Sequence, residues 1–198
     1  EETNIKHMID KLINLPYVDR VLVVDDGSKD KTAFLAATAG ADVLSLPCNK
    51  GKANAMKKGY EVMEANILVF LDGDIKEGIH QIIELIRPIC EKKAEAVIGK
   101  LPMAGKGGFG LVKTLAAKGL YFLTGQTLTS VLSGQRAFLR NILSSEYFNY
   151  NGFGIEFGMT VDMILNKIKI LEVDVVMKHC ATGRDIQGFI HRYRQFND

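Results

Sequence analysis

The chain lacks several features that would settle its class at once. No apolar run approaches the ~20 residues needed to span a bilayer, and no secretory leader is visible. Cysteine is scarce. Cys48, Cys90 and Cys180 are odd in number and scattered, with neither metal-site spacing nor a disulfide framework. A reducing cytoplasmic setting, extending to the inner face of a membrane, is therefore expected. The formal net charge is only +2, which gives no global electrostatic reason to expect a nucleic-acid partner. There is no internal repeat and no low-complexity linker. At 198 residues the expectation is one domain over 1–198, large enough for a substantial core.

What is present is a repeated local pattern. "VLVVDDGSKDKT" (Val21–Thr32) and "ILVFLDGDI" (Ile67–Ile75) are both apolar, β-branched runs that end in paired carboxylates. A buried parallel strand reads as a near-continuous hydrophobic run. Ligands of open α/β sheets sit just beyond the carboxyl ends of such strands. Two strands are thus expected to deliver acid clusters to one sheet edge, suited to a divalent cation and a phosphorylated ligand.

The rest of residues 1–100 alternates in the same manner. Helices are expected near 3–15, 30–40, 51–64 and 78–92, and strands near 20–25, 42–46, 66–72 and 95–99. Pro88 leaves the last turn of the fourth helix open. The alternation argues for a parallel, three-layer α/β sheet. Residues 101–198 read differently. A Gly-rich loop with Lys106 runs into a helix carrying Lys113 and Lys118. A strand containing Ser133–Leu139 follows, then a helix opened by Gly152–Gly154, a strand over Lys169–His179, and a basic helix over Arg184–Phe196. Tyr121, Phe122 and Leu123 are assigned to a core face. A lipid-facing surface is the alternative for them, as it is for Arg192 and Arg194.

Four motifs, in order along nearly the whole chain, resemble those of the family-2 glycosyltransferases. They are D-D-G-S at Asp25–Ser28, "CNKGKANAMKKG" at Cys48–Gly59, D-G-D at Asp72–Asp74 and "SGQRAFLR" at Ser133–Arg140. The resemblance implies a GT-A-like α/β fold, a three-layer α/β/α arrangement on a mainly parallel mixed sheet. Residues 1–100 would form its nucleotide-sugar half and 101–198 its acceptor half. The implied activity is transfer of a hexose from a nucleoside diphosphate sugar, taken to be a UDP-sugar, with Mn²⁺ or Mg²⁺. Such activity belongs to cell-envelope or glycolipid biosynthesis. In the family a strand precedes the first helix and helps hold the base. Here "EETNIKHMIDKLINL" opens directly on the helix, so an incomplete nucleotide pocket is expected.

The resemblance also implies site roles. Asp25, Asp26 and Ser28 would meet base and ribose, since a carboxylate accepts from N–H and hydroxyl groups. The plain structural reading of the segment is a helix cap, by Ser28 or Asp30. Lys52 would hold the nucleotide at a helix N-terminus, where anions are favoured; Ala53 stands where the family more often has Gly. Asp72 and Gly73 would lie against the ribose, with Asp72 also on metal-bound water. Asp74 would ligate the metal, and His179 could complete that site. Ser133, Gly134, Arg136 and Arg184 would line the acceptor or its phosphate. Inverting relatives carry E-D before a helix; here the pair is Glu156-Phe157. Glu156 could act as the base. A phosphate acceptor, being already anionic, would need none. Inverting chemistry is the default, and the altered pair leaves the outcome open.

The acceptor is expected to be a sugar, a phosphate such as phosphoglycerate, or a polyprenyl phosphate, with peripheral membrane contact in the last case. The sequence leaves the oligomeric state open. Two other classes fit the same motifs: a sugar nucleotidyltransferase, and a nucleotide-binding module without turnover.

Overall fold

The computed structural model describes residues 1–101, 109–150 and 154–179. Helix α1 (Ile5–Ile13) leads into strand β1 (Leu22–Asp25), α2 (Thr32–Thr38) and β2 (Asp42–Ser45). Then come α3 (Lys52–Val62), β3 (Ile67–Phe70), a short β4 (Ile75–Glu77), α4 (Ile82–Cys90) and β5 (Ala96–Lys100). Next are α5 (Phe109–Thr124), β6 (Arg136–Leu139), α6 (Gly154–Leu165), β7 (Ile170–Asp174) and β8 (Lys178–His179).

The main sheet has the order β3-β6-β5-β7. Strand β6 runs antiparallel to both neighbours, and β5 and β7 are parallel. Three of its four strands therefore point the same way. Strands β1 and β2 form a separate parallel pair, and β4 pairs with β8.

Side-chain alternation along the strands builds the layers. Val69, Val97 and Ala137 face the core made with Met8 and Leu12 of α1 and Leu85, Ile86 and Ile89 of α4. Leu68, Ala96 and Phe138 face the opposite core, with Met56 of α3 and Ile155, Met159 and Met163 of α6. Helices on both faces of a mostly parallel sheet make the three-layer α/β/α fold expected from the sequence. Burying one such leucine or isoleucine contributes about 1.5–3 kcal/mol, so the alternation itself specifies which face each strand presents.

Two expectations need correcting. The run Lys169–His179 is not one strand. It breaks after Asp174, and β8 leaves the main sheet to pair with β4. Gly78 shows what sets that position. Its φ is +81°, and a Cβ there would lie 1.9 Å from the Val176 carbonyl oxygen, so only glycine lets the two segments meet. The core assignment of Tyr121, Phe122 and Leu123 also fails. They are 60%, 88% and 54% exposed, whereas Leu120 holds the buried side of α5. The basic helix expected over Arg184–Phe196 lies outside the described residues.

Between β1 and β3 lies a cavity of about 790 Å³, lined by residues of β1, β3, α1 and α4. The β1–β2 pair and the main sheet are not hydrogen-bonded to each other. Glu1 ends beside the cavity, close to Gly73. The Asn4 amide donates to the Ile75 carbonyl at 2.6 Å, tying the start of α1 to β4.

Candidate functional site

The carboxyl ends of β1 and β3 carry the acid motifs, as the strand pattern led one to expect. Asp25 is buried at the end of β1, and its Oδ1 accepts from the Ser28 N–H at 3.1 Å. The Asp26 carboxylate accepts from the Lys50 and Gly51 N–H groups, the latter at 2.7 Å. It thereby fixes the D-D-G-S turn to the start of α3 and satisfies donors that a helix N-terminus leaves open. Asp30 Oδ1 accepts from the Thr32 N–H at the head of α2. Asp30 thus satisfies a donor at the head of α2, while Asp25 and Asp26 brace the turn.

Lys52 is the first residue of α3. Its Nζ lies 2.6 Å from Asp72 Oδ1 and 2.6 Å from Glu156 Oε1. Burial alone would lower the Lys52 pKa, but Asp72 and then Glu156 outweigh it, and the net shift is upward. One ammonium therefore joins an acid from each half of the chain. Glu156 enters from the first turn of α6 and is 2% exposed, and its Oε2 has no hydrogen-bond partner among the described residues. An unsatisfied buried carboxylate oxygen is costly in a resting protein and calls for a donor.

Beneath this pair sits Arg136, at 0% exposure. Its Nε donates to the Ser133 carbonyl at 2.7 Å and its Nη1 to Thr160 Oγ1 at 2.9 Å, while Nη2 reaches the Val131 carbonyl. Burial pushes its pKa down to about 10, opposed by Glu156 and Asp72. It stays charged at neutral pH and offsets the acids from below. The sequence expectation that Arg136 faces an acceptor phosphate is thereby corrected, because the guanidinium is enclosed and engaged with the protein.

Ser133 and Gly134 lie just before β6. The antiparallel register places Phe70 opposite Arg136, and its continuation brings Gly134 to Asp72. A Cβ on Gly134 would lie 2.4 Å from Asp72 Oδ1, so the carboxylate rests against a bare α-carbon. Gln135 was not singled out from the sequence, yet its Nε2 donates to Asp72 Oδ2 at 2.9 Å. The available signal was a polar residue held at a buried strand entrance between two motif residues.

Asp74 stands immediately before β4, and β8 sets His179 opposite Ile75 as its cross-strand partner. The backbone therefore brings the two expected metal-site residues to neighbouring positions. Among the described residues no group of three or more His, Cys, Asp or Glu side chains forms a metal cage. An oxygen donor and an imidazole fit a hard or borderline cation whose other ligands come from phosphate and water. Arg184 lies outside the described residues.

Comparison with known proteins identifies the family. The model of the family described as Glycosyl transferase family 2 matches residues 1–148. Glycosyltransferase AglJ of Haloferax volcanii is 30% identical over 174 residues, covering 83% of this chain and 56% of that protein. Glucosyl-3-phosphoglycerate synthase of Petrotoga mobilis is 31% identical, covering 75% of this chain and 51% of that protein. The UDP-N-acetylglucosamine–dolichyl-phosphate N-acetylglucosaminyltransferase of Methanococcus voltae is 32% identical, with coverages of 72% and 67%. The chain thus spans about half the length of the first two curated relatives. Among solved structures, the glucosyl-3-phosphoglycerate synthase of Mycobacterium tuberculosis in complex with Mn²⁺ and UDP-glucose superimposes with a TM-score of 0.77 at 26% identity. It covers 100% of this chain and 73% of that one. The same enzyme in complex with phosphoglyceric acid gives 0.77 at 25% identity, covering 96% and 71%.

Proposed function

The chain belongs to glycosyl transferase family 2, and from that membership we propose that it transfers a sugar from a UDP-sugar to a phosphate-bearing acceptor, with Mn²⁺ or Mg²⁺ as cofactor. The observation that carries this reading is the Asp72–Lys52–Glu156 bridge. It joins the donor-side acid of β3 to the acceptor-side acid of α6 through one cation.

In this reading Asp25 and Asp26 receive base and ribose donors, and Asp72 receives the ribose. Asp74 and His179 would hold the cation, which would supply positive charge against the diphosphate leaving group. Lys52 adds a point charge near the phosphates. The acceptor oxygen attacks the anomeric carbon, and the bond from that carbon to the diphosphate oxygen breaks with its electron pair. If the acceptor is a hydroxyl, its proton passes to Glu156. If a phosphate oxygen attacks, no proton moves. The unpartnered Glu156 Oε2 supports a role in receiving a donor from the acceptor or the sugar.

The outer face of α5 supports membrane contact as an elaboration of this function. Leu115, Tyr121, Phe122 and Leu123 are exposed there, and the helix carries Lys113 and Lys118 with no acidic residue. Apolar and aromatic side chains with lysines suit an anionic lipid interface. Helix α5 packs on α6 where Gly119 meets Phe157, next to Glu156, so a lipid-borne phosphate would approach from that side.

Product analysis tests the reaction class. Incubation with UDP-glucose or UDP-N-acetylglucosamine, Mn²⁺ and either phosphoglycerate or a polyprenyl phosphate should release UDP in step with a glycosylated acceptor. Release of pyrophosphate from a sugar phosphate and UTP would instead identify a nucleotidyltransferase. Nucleotide binding without either product would identify a silent binding module.

A further inference from the structure

We infer that Gln135 is a positioning residue that fixes the plane of the Asp72 carboxylate, and so sets how this site reads the ribose of its donor. The inference rests on the reading of Asp72 as a nucleotide contact.

Three constraints meet on Asp72. Lys52 Nζ donates to Oδ1 at 2.6 Å, and Gln135 Nε2 donates to Oδ2 at 2.9 Å. The Gly134 α-carbon lies against the carboxylate face. A carboxylate held at one oxygen can rotate about its last torsion, which is broad and shallow. Donors on both oxygens remove that rotation.

Gln135 is itself well anchored. It is 0% exposed, and its backbone carbonyl accepts from the Gly99 N–H at 2.8 Å. Its side-chain oxygen accepts from Ser133 Oγ at 3.2 Å. That contact leaves the amide one sensible orientation, since a carboxylate can only accept and the nitrogen must face it.

Charge explains why an amide suits this position. Lys52 and Arg136 stand against Asp72 and Glu156 in this cluster. Glutamate at 135 would set a third carboxylate beside Asp72. A lysine or arginine would over-compensate and compete with the cation for the diphosphate. Glutamine supplies the donor and leaves the balance alone.

The test compares wild type with Gln135→Met, which keeps the length and loses the donor. Calorimetry with Mn²⁺ would be run with UDP and with 2′,3′-dideoxy-UDP, which lacks the ribose hydroxyls. A hydrogen bond to a charged group implies a roughly ten- to hundredfold loss of UDP affinity. The dideoxy ligand should lose less than about threefold, because residue and hydroxyl are coupled only through Asp72. Binding stoichiometry and melting midpoint should stay near wild type. If the methionine variant misfolds, Gln135→Leu, which also removes the donor and adds no charge, provides the same comparison with the same expected pattern. UDP affinity within twofold of wild type, or an equal loss for both ligands, would overturn the inference. Wild-type protein that bound no UDP at all would overturn the proposed function, and this inference with it.

Discussion

Lys52 and Glu156 come from opposite halves of the chain and meet at 2.6 Å, with the glutamate enclosed and the lysine partly open to water. Asp72, two residues past the end of β3, lies between them in sequence and takes the other side of the same ammonium. Acids from the two halves of the chain therefore share one ammonium, so the lysine is the residue whose change should be felt on both sides.

Lys52→Met would leave the Glu156 carboxylate enclosed without its main partner. A fully buried pair broken in this manner costs about 3–5 kcal/mol. Since 39% of the Lys52 side chain is exposed, water screens the pair and a loss of about 1–2 kcal/mol is expected. The pH dependence has a definite sign. The folded pKa of Lys52 is raised above 10.5, so its contribution is fully present below that value and is lost as pH rises through the higher folded value. Melting midpoints measured from pH 7 to 11 should show a constant gap between the proteins up to about pH 10, narrowing above it. A gap that opened on acidification would contradict the assignment.

Glu156→Gln separates the two acceptor chemistries. Where a hydroxyl attacks, as the hydroxyl of phosphoglycerate could, loss of a base should lower turnover by about 10²- to 10⁴-fold. Where a phosphate oxygen attacks, as in a polyprenyl phosphate, the fall should stay under about tenfold, because no proton has to be removed. Initial rates with each acceptor at saturating donor decide between them. Unchanged rates with both would remove Glu156 from the chemistry.

The exposed face of α5 gives a prediction of its own. Sedimentation with vesicles of anionic lipid should recover the protein, and neutral vesicles should recover less. Phe122→Asp, at a position 88% exposed, should abolish the association without moving the melting midpoint, because surface changes of this kind cost within about 0.5 kcal/mol. Equal recovery of wild type and variant would remove α5 as a lipid contact.

Much of this structure was legible beforehand, for identifiable reasons. Apolar runs ending in acids located β1 and β3, because strands that lead into a ligand-binding sheet edge carry that signature, although β3 pairs antiparallel with β6 and not with a parallel neighbour. The helical spacing of Ile79, Ile82, Ile83, Ile86 and Ile89 did the same for α4, with Pro88 inside its last turn, although Leu85 is fully buried there and Ile83 only partly. Strands β4 and β8 were not separable from their surroundings. They have three and two residues, and their pairing depends on a close approach at Gly78 that no local pattern announces. The outward face of α5 was misassigned because an apolar stripe looks the same whether it meets a core or a partner. Arg136 matched a motif, but its burial under Glu156 is a tertiary fact. Gln135 acts through the β3–β6 register, which sequence spacing does not show.

The central claim is that the Asp72 and Asp74 edge binds a nucleoside diphosphate together with a cation. Calorimetric titration of UDP, GDP and CDP, each with and without Mn²⁺, tests it directly, with Asp74→Ala as the control. The account predicts that UDP binds, that binding requires Mn²⁺, and that Asp74→Ala loses it while keeping the wild-type melting midpoint. UDP binding that is the same without the metal, or that survives in Asp74→Ala, would contradict it.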